Sequence, residues 1–295
     1  MEAKDIAHLE SSYRERGWLV YTLTQTEPLH EARNRLLEEL RRLTQRPDIR
    51  LENYHALAQE DTEHLRLQLA ITDFFRHNRL GARIIQGEIE FFRTLLGPDL
   101  DIQSQPYLRI TRPGKTDDTI GLHRDTFYGL TAFELAVVIP FVDLEEKATL
   151  SLIPGSHVQP ESGYPTTQIS HPTVKKGSPV HKLGFAYAPK IIDPSSLKNL
   201  TPIPLRFGEA LMFSSAIVHG GSQNLSGTSR WSSDIRVKNA LAPVDTTRRP
   251  DYYEPLLRSC VTEAGYRYLK ANETPNAQGT EASTQALDER ATRPS

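Results

Sequence analysis

Apolar positions in the first hundred residues recur at helical spacing. Ile6, Leu9 and Tyr13 mark one face of a first helix, and Gly17 ends the pattern. The run "WLVYT" at 18–22 has the composition of a short strand. Thr26 followed by Pro28 opens a second helix, with an apolar face of Leu29, Ala32, Leu36, Leu40 and Leu43. A third helical run covers 61–78 and a fourth 81–96, around "IIQGEIEFFRTLL". Stripes of this kind must be covered by a sheet or by one another.

The period changes near residue 103. Short β-rich runs follow: "PYLRITR", "FELAVVIPFVDL", "ATLSLIPG", "EALMFSSAIVHGG" and "RWSSDIRVKNA", punctuated by Pro and Gly. That spacing suits a β-sandwich or jelly roll, not βαβ repeats. "GKTDDT" at 114–119 reads as an exposed turn and lacks the full phosphate-loop pattern. Residues 157–206 form a long, poorly periodic segment rich in Pro, Ser, Thr and His, expected to be a lid or rim of a site, with a surface insertion as the alternative. Beyond 270 the chain is polar and poor in bulky residues. The expected organisation is a single domain over 1–270, with helical support mainly in 1–97, a β core over about 103–240 and an extension over 241–270, and then a flexible tail over 271–295.

Composition narrows the partners. A formal net charge of -2 carries no nucleic-acid footprint. "MEAKDIAHLE" has no basic stretch leading into an apolar core, so no signal peptide is expected. No apolar run approaches the roughly 20 residues of a membrane span. The one cysteine, Cys260, has no partner for an intrachain disulfide or a thiolate metal site. A cytoplasmic location is therefore expected, and any metal must be held by His and carboxylates.

Candidate chemistry begins at "IGLHRDTFYG", residues 120–129. On a strand, His123 and Asp125 share a side. Such a pair alone reads equally as an ion pair, a turn decoration or two legs of a metal site. His219 ends the run "SSAIVHGG", where two glycines permit close backbone approach. Two neutral imidazoles and a carboxylate suit ferrous iron, leaving positions open for a co-substrate and dioxygen. "SRWSSDIRVK" at 229–238 alternates: Arg230, Ser232, Asp234 and Arg236 share one face, and Trp231, Ser233, Ile235 and Val237 the other. A charged face suits a ligand cavity or solvent, and alternation does not decide between them.

Taken in order, "HRD", "VHGG" and "SRW", with Arg230 eleven positions after His219, resemble the Fe(II)/2-oxoglutarate-dependent oxygenases of the phytanoyl-CoA dioxygenase-like branch. "SLIPGSH" at 151–157 and "RFGEALMFSSAIVHGGSQN" at 206–224 extend the resemblance, which spans roughly 100–240. It implies a mainly β fold with flanking α: a double-stranded β-helix (a jelly roll, cupin-like) supported by the amino-terminal helices. It further implies that His123, Asp125 and His219 bind Fe(II). Arg230 would grip the far carboxylate of 2-oxoglutarate with its bidentate fork, and Ser232 would add a hydroxyl. Thr126 would orient the co-substrate or brace the ligands. Tyr107 and Arg109 would border the pocket and contact co-substrate or an acidic substrate. Arg124 is expected to point away from the metal, Asn224 to brace the loop after His219, and His157 to be structural. Phe127 and Tyr128 would line the entrance or cap the core.

The implied reaction decarboxylates 2-oxoglutarate to succinate and hydroxylates a substrate. A small polar or sugar-like metabolite is expected. Arg109, His181, Lys182, Arg236 and Lys238 would give the pocket positive character suited to an anion. The alternatives are a non-catalytic β-sandwich module binding carbohydrate or another small molecule, and an acyl-thioester hydroxylase. A cupin-like isomerase or hydrolase fits less well, because such sites use more histidines and a Glu.

Overall fold

The structure is a computed structural model describing residues 3–167, 190–192, 198–245, 247 and 250–272. His181, Lys182, much of the expected lid and the tail beyond 272 lie outside the described residues.

Helix α1 (Ala3–Arg16) leads through Gly17 into strand β1 (Trp18–Thr22). Helix α2 (Glu27–Thr44) has Pro28 in its first turn, where no helical N–H is lost. Its predicted stripe is real: Leu29, Ala32, Leu36 and Leu40 are fully buried, and Leu43 packs partly against the core. Each such leucine contributes about 1.5–3 kcal/mol of burial. Helix α3 (Asp61–His77) buries Leu67, Ile71 and Phe75. The single helix expected over 81–96 is in fact two, α4 (Leu80–Gly87) and α5 (Ile89–Leu96), broken at Glu88. The Glu88 carboxylate is buried and accepts from Tyr21 Oη (2.8 Å), Thr24 Oγ1 (2.8 Å) and Gln25 N (2.6 Å). The break thus ties the helices to β1 and the link that follows it.

Nine further strands follow among the described residues: β2 (Leu100–Gln103), β3 (Tyr107–Thr111), β4 (Glu134–Pro140), β5 (Leu150–Leu152), β6 (Thr201–Pro202), β7 (Glu209–Ser214), β8 (His219–Gly221), β9 (Arg230–Asn239) and β10 (Tyr253–Leu257). They form an antiparallel seven-stranded sheet, β1-β7-β4-β9-β2-β10 with β3 also paired to β9, and a small sheet, β6-β5-β8. Strand β4 lies between β7 and β9 and is buried at every position, which explains its apolar run from Leu135 to Pro140. The expected jelly-roll class therefore holds. The large sheet also draws in β1, β2 and β10 from outside 103–240.

On β9 the two faces have separate duties. Trp231, Ile235 and Val237 are fully buried; the Trp231 indole donates to Leu51 O at 2.8 Å and meets Tyr54 edge-on at 5.3 Å. The charged face is not solvated: Arg230, Ser232 and Arg236 are buried as well. "GKTDDT" departs from an exposed turn, since Asp118 folds inward onto the Arg112 guanidinium. By contacts the chain divides into a unit ending at Leu257 and a second beginning at Arg258, the latter containing helix α6 (Cys260–Asn272).

Candidate active site

His123 and His219 are held side by side by a pair of backbone hydrogen bonds. His123 N donates to His219 O and His219 N donates to His123 O, each at 2.9 Å, which docks the segment before the 3-10 turn onto the edge of β8. Gly220 makes that docking possible. A Cβ there would lie 2.9 Å from Leu122 N and 3.0 Å from Leu122 Cα, inside backbone contact distance. The imidazoles end 4.3 Å apart between centroids.

Each imidazole is oriented the same way. Nδ1 of His123 donates to Gly121 O at 2.7 Å, and Nδ1 of His219 donates to Ile217 O at 3.1 Å. A carbonyl only accepts, so each Nδ1 carries a proton, and Nε2 is the nitrogen left to serve as a metal ligand. Both Nε2 atoms face Asp125 Oδ1, at 3.6 Å from His123 and 3.8 Å from His219. One ligand atom from each residue lies within 4.8 Å of the others, and all three residues are buried. Burial, then the neighbouring His123, lowers the pKa of His219 to about 4, so it is neutral at physiological pH. Burial would push Asp125 up, but the Arg236 guanidinium, 2.6 Å from Oδ2, outweighs it and holds the carboxyl well below its ordinary range. Two imidazoles and one ionised carboxylate around a common point fit a divalent iron.

Asp125 does not continue a strand, as the pattern suggested; it opens a 3-10 turn, Asp125–Tyr128, closed by Gly129 at φ 81°. Arg124 does point away. Its guanidinium donates to Ser156 O (2.9 Å) and Gln159 O (3.0 Å) and lies over the Tyr164 ring.

The triad opens into a cleft. One wall is a cross-strand ladder, with Thr111 opposite Arg230, Arg109 opposite Ser232 and Tyr107 opposite Asp234. All six of these side chains line the cleft. The Arg230 guanidinium is buried, makes no hydrogen bond or ion pair among the described residues, and leaves Nε without an acceptor; the Ser232 hydroxyl is orphaned too. Burial, reinforced by the neighbouring Arg109, lowers the pKa of Arg230 to about 10. A desolvated cation and an unpaired hydroxyl on one wall make a receptor for a carboxylate that the protein itself does not provide.

The family model for phytanoyl-CoA dioxygenase matches residues 13–232, a span that contains the whole triad, Arg230 and Ser232. The chain belongs to this family. It is a non-haem iron, 2-oxoglutarate-dependent dioxygenase. Among solved structures, the epimerase SnoN, crystallised with Fe3+, alpha ketoglutarate and nogalamycin RO, is 18% identical; the match covers 85% of this chain and 88% of SnoN at a TM-score of 0.50. The non-heme monooxygenase ThoJ is 16% identical, covering 85% and 84% of the two chains, with a TM-score of 0.47. The non-heme alpha ketoglutarate dependent carbocyclase SnoK is 16% identical, covering 81% and 85%, with a TM-score of 0.44. No curated protein matches the sequence.

Other expected residues of this dioxygenase are placed less uniformly. Thr126 is not brought into the cleft; its hydroxyl donates to Glu161 at 3.3 Å and its N–H to Ser215 O. Tyr128 does line the cleft and meets the His123 ring edge-on at 5.4 Å. Asn224 braces the loop after β8, donating to Thr111 O and Thr228 O. Of the residues expected to make the pocket positive, Arg109 and Arg236 line the cleft and Lys238 does not. Lys238 Nζ donates to Asp101 at 2.8 Å, and Arg236 is taken up by Asp125 and Asp234. Arg109 lies 3.7 Å from Asp234 and over the Tyr107 ring. Sequence reasoning missed Asp118, Phe213 and Tyr252 as cleft residues. No helix among the described residues is long and apolar enough to cross a membrane.

Proposed function

We propose that this dioxygenase hydroxylates a small polar, sugar-like metabolite, coupled to decarboxylation of 2-oxoglutarate to succinate. His123 Nε2, Asp125 Oδ1 and His219 Nε2 are the atoms that would hold iron. The observation that carries the reading is Arg230, a buried charge with an orphaned Nε on the wall of the cleft that holds the triad. It and Ser232 would take the far carboxylate of 2-oxoglutarate, the fork donating to both oxygens. Iron bound there with 2-oxoglutarate and dioxygen supplies an oxidant able to remove hydrogen from carbon; one oxygen atom ends in succinate and the other in the hydroxylated product. The chain's own contribution is to keep His219 neutral and Asp125 ionised, to fix the co-substrate's far end and to hold the reacting groups away from bulk water.

The sugar-like preference follows from the residues that line the cleft. Arg236 is spoken for by carboxylates, and Arg109 has one alongside it. Thr119 brings a hydroxyl to the lining, and Tyr107, Tyr128 and Tyr252 bring aromatic rings, which suit the hydroxyl groups and C–H faces of a sugar better than an acyl chain.

The test is an anaerobic titration of the apoprotein with Fe(II) and 2-oxoglutarate, followed by oxygen. A charge-transfer band and then succinate release are expected, and both should vanish in His219→Ala. No band and no succinate in the unaltered protein would instead favour a non-catalytic binding module. Pools of sugars, amino acids and acyl thioesters, screened by mass for gain of one oxygen, then test the substrate class; oxidation of acyl thioesters alone would overturn the sugar-like assignment.

A further inference from the structure

Arg236 lies four residues beyond the span that matches the family model, buried on β9 and facing the cleft. Its Nη2 donates to Asp125 Oδ2 at 2.6 Å and its Nη1 to Asp234 Oδ1, while Nε lies 3.7 Å from Glu134 Oε1. The Asp125 carboxylate is therefore divided. Oδ1 faces the two imidazoles and Oδ2 is capped by a guanidinium.

The cap is itself held. Arg236 N donates to Gln103 Oε1 at 3.2 Å, and β9 is paired on both sides, with β4 and β2. Glu134, behind it, accepts from the Ser215 hydroxyl at 2.6 Å and from the Tyr253 hydroxyl. Ser215 O in turn accepts from Thr126 N, at the start of the turn that carries Asp125. The brace closes on the ligand it serves, through three separate elements.

This arrangement has a coordination consequence. A carboxylate with both oxygens free can bind a divalent ion through both and take an extra position. A two-histidine, one-carboxylate site works because its remaining positions stay open for co-substrate and dioxygen. We propose that Arg236 is a positioning residue that restricts Asp125 to coordination through Oδ1, thereby keeping open a position that 2-oxoglutarate needs. The proposal rests on the reading of His123, Asp125 and His219 as the metal ligands.

The test uses the whole apoprotein as wild type, Arg236→Lys and Arg236→Gln, with Arg230→Met and His219→Ala as controls. Co(II) is titrated by calorimetry and its visible spectrum recorded; 2-oxoglutarate is then titrated onto the Co(II)-loaded protein. For Arg236→Lys, Co(II) affinity should stay within about threefold of wild type while 2-oxoglutarate binds about tenfold or more weakly. The Co(II) spectrum before 2-oxoglutarate should also change, reporting altered coordination. Arg230→Met should weaken 2-oxoglutarate without changing that spectrum. Arg236→Lys indistinguishable from wild type in spectrum and 2-oxoglutarate affinity would overturn the proposal, because charge without the fork would then suffice. Loss of Co(II) and 2-oxoglutarate binding together, with a lowered melting temperature in both variants, would make Arg236 merely structural and also overturn it. If wild type fails to bind Co(II), or His219→Ala binds it equally well, the metal reading itself falls.

Discussion

Two buried arginines, Arg112 and Arg230, sit one residue out of register at the same end of β3 and β9, and they live differently. Arg112 is saturated. It donates to both oxygens of Asp118, to Asp61, and to the carbonyls of Ala58 and Gln59. Arg230, almost equally buried, donates to nothing among the described residues. A buried guanidinium costs free energy unless its donors are met. At Arg112 the protein meets them, and the reward is a pinned loop. At Arg230 it leaves them open, which makes sense if the acceptor arrives with a ligand. Burial alone does not separate a structural cation from a binding one; the bookkeeping of partners does.

The sharpest way to break that contrast is to make the same substitution at both sites. Arg112→Met strands Asp118 in the interior and should destabilise the fold by about 3–5 kcal/mol, read as a fall in the urea midpoint. Equal stability to wild type would mean that the network is not structural.

His64 belongs to the Arg112 network, 3.4 Å from Asp118 Oδ1 and with its Nδ1 2.9 Å from the Tyr54 hydroxyl. Burial outweighs Asp118 and lowers its pKa to about 4. The unfolded chain therefore binds the extra proton first. This contribution to stability is intact above the ordinary histidine pKa and is lost as pH falls from about 6.5 to about 4, by at most about 3 kcal/mol. Glu134, pushed up to about 7 chiefly by burial, has the opposite sign, since the folded state takes its proton first and loses stability as pH rises from about 4.5 to about 7. The two overlap, so the measurement is the difference between wild type and His64→Gln across that range. A pH-independent difference would remove His64 from the account.

At the open site, Arg230→Met should behave in the reverse manner to Arg112→Met. Stability is held or raised, because an unpartnered charge is replaced by apolar volume. Affinity for 2-oxoglutarate falls by about 100-fold, the loss of a paired, charge-assisted contact. A destabilised Arg230→Met with unchanged 2-oxoglutarate binding would erase the distinction between the two arginines.

What was legible in the chain follows the range of the interactions. The α2 stripe and the β4 run depend on local period, and both were readable. So was the spacing from His219 to Arg230. The alternation on β9 was visible, but whether its charged face met solvent or a cavity depended on the neighbours β3 and β4, which a one-dimensional pattern does not contain. Glu88 is an ordinary helix former, and nothing local marks it as a break; its partners Tyr21, Thr24 and Gln25 are more than sixty residues away. Strand β10 was missed because Pro255 argues against a strand, yet it sits on a sheet edge where the register shifts, as proline requires. Arg236 read as a substrate contact because its acceptor, Asp125, is 111 residues earlier.

The smallest prediction is also the most local. Ser232 and Ser233 are adjacent on β9, both fully buried, and both have orphaned hydroxyls. They face opposite ways, Ser232 into the cleft beside Arg230 and Ser233 toward the side of Trp231 and Ile235. If an orphaned hydroxyl is merely an unfavourable buried group, either alanine should raise stability slightly and change nothing else. If Ser232 awaits the carboxylate that Arg230 awaits, Ser232→Ala should weaken 2-oxoglutarate binding by about 1 kcal/mol, roughly fivefold, whereas Ser233→Ala leaves it unchanged. Calorimetry on the Co(II)-loaded variants measures both. Equal affinities would leave Arg230 as the lone anchor, and the hydroxyl beside it would be a packing defect on the cleft wall.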